Sequence, residues 1–232
     1  MKYSERVVPA EFVARPNRFI ALVERDGKIF TVHVKNTGRC RELLIPGAKV
    51  YIALSDDTHR KTPADLIAVE KIREDGSYLL INMDSQAPNK AAYEWVKNGL
   101  GFSDSAIIRR EYTHGDSRFD LYIEDGERRA FIEVKGVTLE KNGIAMFPDA
   151  PTERGVKHLN GLISCVEEGF EAYILFIVQM NGTDAFTPNE EMHPEFASTL
   201  RNAVEKGVTA VAVECRVTPT EMIVTSEIKL IV

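Results

Sequence analysis

The sequence predicts an all-β part over residues 1–85 followed by an α/β part with a mixed sheet over residues 86–232. Three observations predict this. The first 85 residues hold short β-branched and aromatic runs separated by polar turns. Strand-like runs then alternate with segments whose apolar residues keep helical spacing, the pattern of an α/β sandwich. Between the two, Ser85-Gln86-Ala87-Pro88-Asn89 marks a change of character. A chain of 232 residues accommodates two small domains of this kind.

In the first part, Phe19–Val23 and Ile29–Val34 flank Asp26-Gly27, a dipeptide suited to a tight hairpin because both central residues take positive φ. Ala48–Leu54, Leu66–Ile72 and Tyr78–Asn82 add further strands, with Asp75-Gly76 turning between the last two. Five short strands with little helix predict a small barrel, for which the OB-fold is a natural candidate. In the second part, Asn89 is a candidate cap for a helix from Lys90 to about Val96. Strands follow at Ile107–Tyr112, Phe119–Ile123 and Ala130–Val134. A helix is predicted over Thr152–Glu168: Val156, Leu159, Leu162, Ile163 and Val166 keep its spacing, and Gly169 ends it. A buried strand over Ala172–Val178, a helix opened by Pro194 and closed by Gly207, and a strand over Thr209–Val217 complete the order.

Composition narrows the classes. At 44% apolar and 28% charged, the chain is neither disordered nor fibrous. No apolar run approaches the roughly 20 residues of a membrane span, and no secretory leader is visible. Cys40, Cys165 and Cys215 stand far apart, without a CxxC pair, which suits a reduced cytoplasm. The net charge of −6 divides unevenly: residues 1–85 carry 14 Lys and Arg against 12 Asp and Glu, whereas residues 86–232 carry 15 against 23. A nucleic-acid partner therefore has to meet a local basic patch, and the balance favours the first part for it.

The most informative stretch is Ser117 to Lys135. With a two-residue turn at Asp125-Gly126, Leu121 faces Ala130 and Asp120 faces Phe131. Strand alternation then gathers Phe119, Leu121, Ile123, Ala130, Ile132 and Val134 on one apolar face. The opposite face collects Arg118, Asp120, Tyr122, Arg129, Phe131, Glu133 and Lys135. Asp120 and Glu133 fall one diagonal step apart, roughly 7–8 Å between backbones. Carboxylates that close can share a hard divalent cation, Mg2+ or Mn2+. Lys135 points the same way and can orient a water or balance charge on a phosphate. The simpler reading of this face is a solvated strand surface.

At these residues the sequence resembles the PD-(D/E)XK nuclease superfamily, with Asp120 and Glu133-Val134-Lys135 at the motif positions. More specifically it is similar to the sugar fermentation stimulation protein (SfsA) family. That resemblance also runs through Arg15-Pro16-Asn17-Arg18-Phe19, Asn36-Thr37-Gly38-Arg39, Glu42–Gly47, Arg60-Lys61-Thr62, Phe147–Gly155 and Lys157-His158-Leu159. It implies a DNA-binding protein linked to sugar utilisation, with an OB-like domain over residues 1–85 before a restriction-endonuclease-like domain over residues 86–232. One departure is Met192-His193-Pro194, where an Asp is expected before the proline.

Further acids are candidates: Glu94 in the first helix of the second part, and Glu111 at the end of the strand before the hairpin. For each, an ordinary exposed glutamate is the simpler reading. Thr152 is placed to cap the next helix, whose N-terminus attracts phosphate, with Arg154, Lys157 and His158 in its first two turns. In the first part Arg15, Arg18, Arg39, Arg41, Arg60 and Lys61 lie in or near loops, close in sequence to Phe19 and Tyr51. Loop cations beside aromatics can hold single strands by charge and stacking; a plain basic surface is the alternative. The five histidines show no metal-ligand spacing. The reading that follows is a DNA-binding protein with a Mg2+- or Mn2+-dependent nuclease site. A non-catalytic DNA-binding regulator and a phosphoesterase for small nucleotides are its rivals.

Overall fold

The structure, a computed structural model, describes every residue except Thr37, Arg39 and Thr58. The chain divides into two compact units. One comprises Met1–Ala87, Gln179–Asn181 and Cys215–Ile223; the other comprises Pro88–Val178, Gly182–Glu214 and Val224–Val232.

The first unit is built on β1 (Val7–Asn17), β2 (Ile20–Arg25), β3 (Lys28–Val34), β4 (Lys49–Leu54), β5 (Ala64–Ile72) and β6 (Tyr78–Asn82). Their order is β3-β2-β1-β4-β5-β6, and a parallel pairing of β3 with β5 closes the first five into a barrel. This is the OB-type barrel expected. Asp26 (φ 53°) and Gly27 (φ 72°) make the predicted hairpin turn. The strand that sequence patterning missed is β1, because Pro9 and Pro16 interrupt its apolar alternation. Val8, Ala10 and Phe12 nonetheless point inward along it. They join Val23, Val32, Val50, Leu66, Val69 and Ile81 in a core where each large side chain contributes about 1.5–3 kcal/mol.

The second unit is α/β. Its helices are α1 (Ala87–Gly99), α2 (Glu153–Glu167) and α3 (Pro194–Glu205). The main sheet runs β15-β14-β12-β9-β8-β7. Its strands are β7 (Ile107–His114), β8 (Ser117–Asp125), β9 (Arg128–Val137), β12 (Glu171–Val178), β14 (Thr209–Thr218) and β15 (Glu221–Glu227), of which Cys215–Thr218 and Glu221–Ile223 are counted with the first unit. β7, β8 and β9 are antiparallel neighbours, whereas β9, β12 and β14 run parallel, so the sheet is mixed. A second sheet of β10 (Leu139–Lys141), β11 (Ile144–Phe147), β13 (Ala185–Pro188) and β16 (Lys229–Leu230) was not anticipated. Its strands are only two to four residues long, too short to carry a period. The Asn142-Gly143 turn, both residues at positive φ, is the one local signal for it.

Three local details position the site. α1 begins before Asn89: Asp84 accepts the Gln86 N–H through Oδ1 (2.9 Å) and the Ala87 N–H through its carbonyl (3.1 Å). Asn89 is thus inside the helix, and its side chain is not a cap. Thr152 does cap α2, its Oγ1 accepting the Gly155 N–H at 3.0 Å. Gly161 lets α2 lie against β8, since a Cβ there would stand 2.7 Å from Ser117 Oγ. At the departure noted above, His193 precedes α3 without capping it; its Nδ1 accepts the Thr152 N–H at 3.4 Å. No helix among the described residues is long and apolar enough to cross a membrane.

Candidate functional site

The β8–β9 hairpin is the scaffold. Its register differs from the predicted one: Asp125 pairs with Arg128, Ile123 with Ala130 and Leu121 with Ile132, so the turn is Gly126-Glu127. The correction is a slip of two residues, and an even slip leaves each side chain on its own face. The ladder ends at Leu121↔Ile132. One position further, Asp120 Oδ2 accepts the Val134 N–H at 2.8 Å. A side-chain carboxylate thus answers a strand N–H where the ladder stops, which holds Asp120 against Glu133-Val134-Lys135.

The apolar face is buried as expected, but the opposite face is not a solvated surface. Tyr122, Phe131 and Glu133 are all buried, and Phe131 packs against Phe119, Tyr122 and Phe170 with ring centroids 4.8–5.2 Å apart. Phe119 thus contacts the residue it was predicted to face away from. The lone Phe131 amid polar neighbours was the signal that this face is covered.

Three side chains converge on the two acids, and a fourth, Arg154, braces one of them. Asn89 Nδ2, from α1, donates to Asp120 Oδ1 at 2.7 Å. Lys135 Nζ donates to Glu133 Oε1 at 2.6 Å, and His158 Nδ1, from α2, bonds the same oxygen. Arg154 Nε donates to His158 Nε2 at 3.2 Å. Nε2 is therefore the bare nitrogen, and Nδ1 carries the proton given to Glu133. Glu133 is 2% exposed, and its Oε2 has no hydrogen-bond partner.

The electrostatics follow. Burial, joined by the Glu133 charge, pushes the Asp120 carboxyl up to about 6, although the Val134 N–H and the Asn89 amide favour its ionised form. Burial also opposes ionisation of Glu133, but the His158 and Lys135 contacts outweigh it and hold that carboxyl below its ordinary range. Above pH 6 the site carries two carboxylates against one ammonium. An unanswered buried oxygen beside an excess of negative charge fits a hard cation. Among the described residues no group of three or more His, Cys, Asp and Glu could hold an ion; the acids brought together here are Asp120 and Glu133.

The other candidates are placed as follows. Glu94 is exposed on α1, which reaches Asp120 through Asn89 instead. Glu111, at φ 53°, pairs with Arg118 at 3.0 Å on the exposed β7. Arg154 and Lys157 are exposed, whereas His158 is buried and turned to Glu133, so it does not present a surface for phosphate. The neighbouring Val156, Leu159 and Leu162 were the signal that His158 lies near the buried side of α2.

In the barrel, Arg15 donates to the carbonyls of Gly38, Arg18 and Asn36 at 2.6–2.8 Å, clamping a loop. Arg60 is tied to Asp65. Arg18, Arg41 and Lys61 are exposed, with the Arg18 guanidinium 4.6 Å over the Phe19 ring. Tyr51, the other aromatic, donates to Glu70 at 2.6 Å. Arg39 lies outside the described residues.

Family profiles match both parts of the chain. The SfsA N-terminal OB domain matches residues 13–81, and the sugar fermentation stimulation protein RE domain matches residues 86–221. A sugar fermentation stimulation protein homolog from Clostridium beijerinckii is 52% identical over 217 residues, covering 94% of this chain and 93% of that protein. One from Desulfitobacterium hafniense is 53% identical over 218 residues, covering 94% and 92%. The solved structure of Pyrococcus furiosus SfsA in complex with Ca2+ is 29% identical with a TM-score of 0.86, covering 100% of this chain and 98% of that one. With both domains matched in order and half of its residues shared with these relatives, the chain belongs to the sugar fermentation stimulation protein family.

Proposed function

We propose that this protein binds DNA in the cytoplasm and hydrolyses phosphodiester bonds at Asp120, Glu133 and Lys135 with the help of Mg2+ or Mn2+. The observation that carries the reading is Glu133: a buried carboxylate with one oxygen doubly engaged and the other unpartnered, beside an acid whose pKa is raised by burial and by the Glu133 charge. The Ca2+ complex of the Pyrococcus furiosus relative supports divalent-cation binding in the family. Asp120 and Glu133 Oε2 would hold the ion. When bound, it supplies a more acidic water and positive charge at the phosphate.

The chain's own residues do the rest. The Val134 N–H and the Asn89 amide orient Asp120, and above pH 6 its carboxylate is free of the proton that competes with a cation. Lys135 Nζ is the ammonium of the site, and its role in this reading is to donate to the attacking water or to a phosphate oxygen. The exposed Arg18, Arg41 and Lys61 on the barrel, and Arg154 and Lys157 on α2, offer charge for the backbone. One observation favours a non-catalytic DNA-binding regulator instead: side-chain ligation rests on two carboxylates alone among the described residues.

Cleavage of labelled single- and double-stranded DNA and RNA, with Mg2+ or Mn2+ and with EDTA, separates the readings. The nuclease reading expects metal-dependent cleavage of DNA that is lost in Lys135→Ala while Mn2+ binding persists. Binding without cleavage under every metal would leave the regulator as the better account.

A further inference from the structure

We propose that His158, braced by Arg154, is a positioning residue that locks the Glu133 carboxylate so that Oε1 is spent within the protein and Oε2 is kept for a divalent cation. The inference rests on the cation site proposed above and assigns roles to two side chains that the sequence pattern offered only as phosphate contacts. A carboxylate held by a single donor can rotate and exchange its two oxygens. Here two donors from different elements grip the same oxygen: Lys135 from β9 at 2.6 Å, and His158 from α2. Lys135 is two residues from Glu133 on the same strand and on a flexible stem, so alone it can follow the carboxylate as it turns. The His158 ring cannot. It is 7% exposed, lies between the buried Val156 and Leu159, and sits on a helix that Gly161 holds close against β8.

Arg154 completes the lock. Its Nε donates to His158 Nε2 at 3.2 Å from one helical turn earlier. That bond selects the tautomer with the proton on Nδ1, the only form that donates to Glu133 while keeping Nε2 bare. Reversing the tautomer would set a bare nitrogen against a carboxylate oxygen. Groups that orient a metal-ligating carboxylate in this way typically carry about 10- to 100-fold in metal affinity. His158 is out of reach of nucleic acid in this arrangement, so its loss should alter the cation site and not the surface that meets phosphate.

The test is Ca2+ titration by calorimetry at pH 7.5 with the full chain. It compares wild type, His158→Leu, His158→Asn and Arg154→Met, with thermal melting as the check on folding. The Asn amide nitrogen occupies about the place of Nδ1 and keeps a donor to Glu133, whereas Leu keeps bulk alone. The expected result is Ca2+ affinity at least tenfold weaker in His158→Leu, within threefold of wild type in His158→Asn, and two- to fivefold weaker in Arg154→Met. DNA affinity in EDTA should be unchanged in both His158 variants.

A folded His158→Leu with wild-type Ca2+ affinity overturns the lock while leaving the cation site standing. His158→Asn as weak as His158→Leu overturns the hydrogen-bond assignment. Wild type that takes up no Ca2+ overturns both the site and the lock. If His158→Leu does not fold, the exposed Arg154→Met carries the test, and an unchanged affinity there overturns the brace.

Discussion

Each unit of the molecule draws a pair of acids in from solvent, and the two pairs are answered very differently. In the barrel unit, Lys35 Nζ bridges Asp65 (3.3 Å) and Asp84 (3.0 Å). Arg60 and His33 also bond Asp65, while the Tyr3 hydroxyl and the Gln86 N–H go to Asp84. Two carboxylates meet two full cations. Burial opposes ionisation of Asp65, but Arg60 and Lys35 outweigh it and hold its carboxyl below its ordinary value. In the α/β unit, Asp120 and Glu133 share one ammonium, one oxygen is left without a partner, and Asp120 is pushed up to about 6. Both pairs are carboxylates, with Asp65, Asp84 and Glu133 buried and Asp120 half-buried. What differs is completeness: a fully paired network fixes structure, whereas an under-paired one holds a perturbed acid ready for a cation or a proton.

The comparison breaks most visibly in stability. Lys35→Met removes the ammonium from buried Asp84 and leaves Asp65 to Arg60, and should cost about 3–5 kcal/mol in urea unfolding. Asp120→Asn removes a charge that its site disfavours, so the same measurement should find stability at neutral pH unchanged or raised. Equal losses in both variants would mean the two clusters are the same kind of network.

The pH dependence should also run in opposite senses. Asp120, with a folded pKa of about 6 against an ordinary value of 3.8, contributes stability that is fully present below about pH 4 and lost as pH rises through 6. The difference between wild type and Asp120→Asn should therefore fall by about 2–3 kcal/mol from pH 4 to pH 7. Asp65 is held low, so its contribution is present above the ordinary carboxylate range and lost as pH falls through its folded value. The difference between wild type and Asp65→Asn should shrink on acidification. Chemical unfolding across this range in the three proteins checks both signs.

A smaller effect of the same origin concerns the cation. A proton on Asp120 competes with it, so Ca2+ affinity should rise about tenfold between pH 5 and pH 7, with proton release detectable by titration in two buffers of different ionisation enthalpy. A flat profile would mean that Asp120 is not a ligand. The smallest effect belongs to the surface. Arg18→Glu and Lys61→Glu are exposed changes, and each should lower the log–log salt slope of DNA binding by roughly 0.7 to 0.9. Reversing Arg15 should instead loosen the loop it clamps.

The hairpin site was legible in the sequence because strand alternation has a period of two. Placing the turn at Asp125-Gly126 instead of Gly126-Glu127 moved every pairing by two residues yet kept Asp120, Glu133 and Lys135 together. The parts that did not read were those built by long-range contact. Asn89 looked like a helix cap because its residue type favours caps, but Asp84 takes that place and Asn89 serves Asp120, 31 residues away. His158 looked like a phosphate contact because it follows a capped N-terminus, and only the packing of α2 on the sheet turns it to Glu133. β1 was hidden by its prolines, and the small second sheet by strands too short to show a period.

The central claim is that Asp120 and Glu133 are a cation site and not a structural pair. It is met most directly by titrating Mn2+ into wild type and Asp120→Asn at pH 7.5 and melting both proteins. The account predicts that wild type binds the ion and that Asp120→Asn binds none while melting at or above the wild-type temperature. Equal Mn2+ binding in the two proteins, no binding in wild type, or an Asp120→Asn protein that unfolds would contradict it.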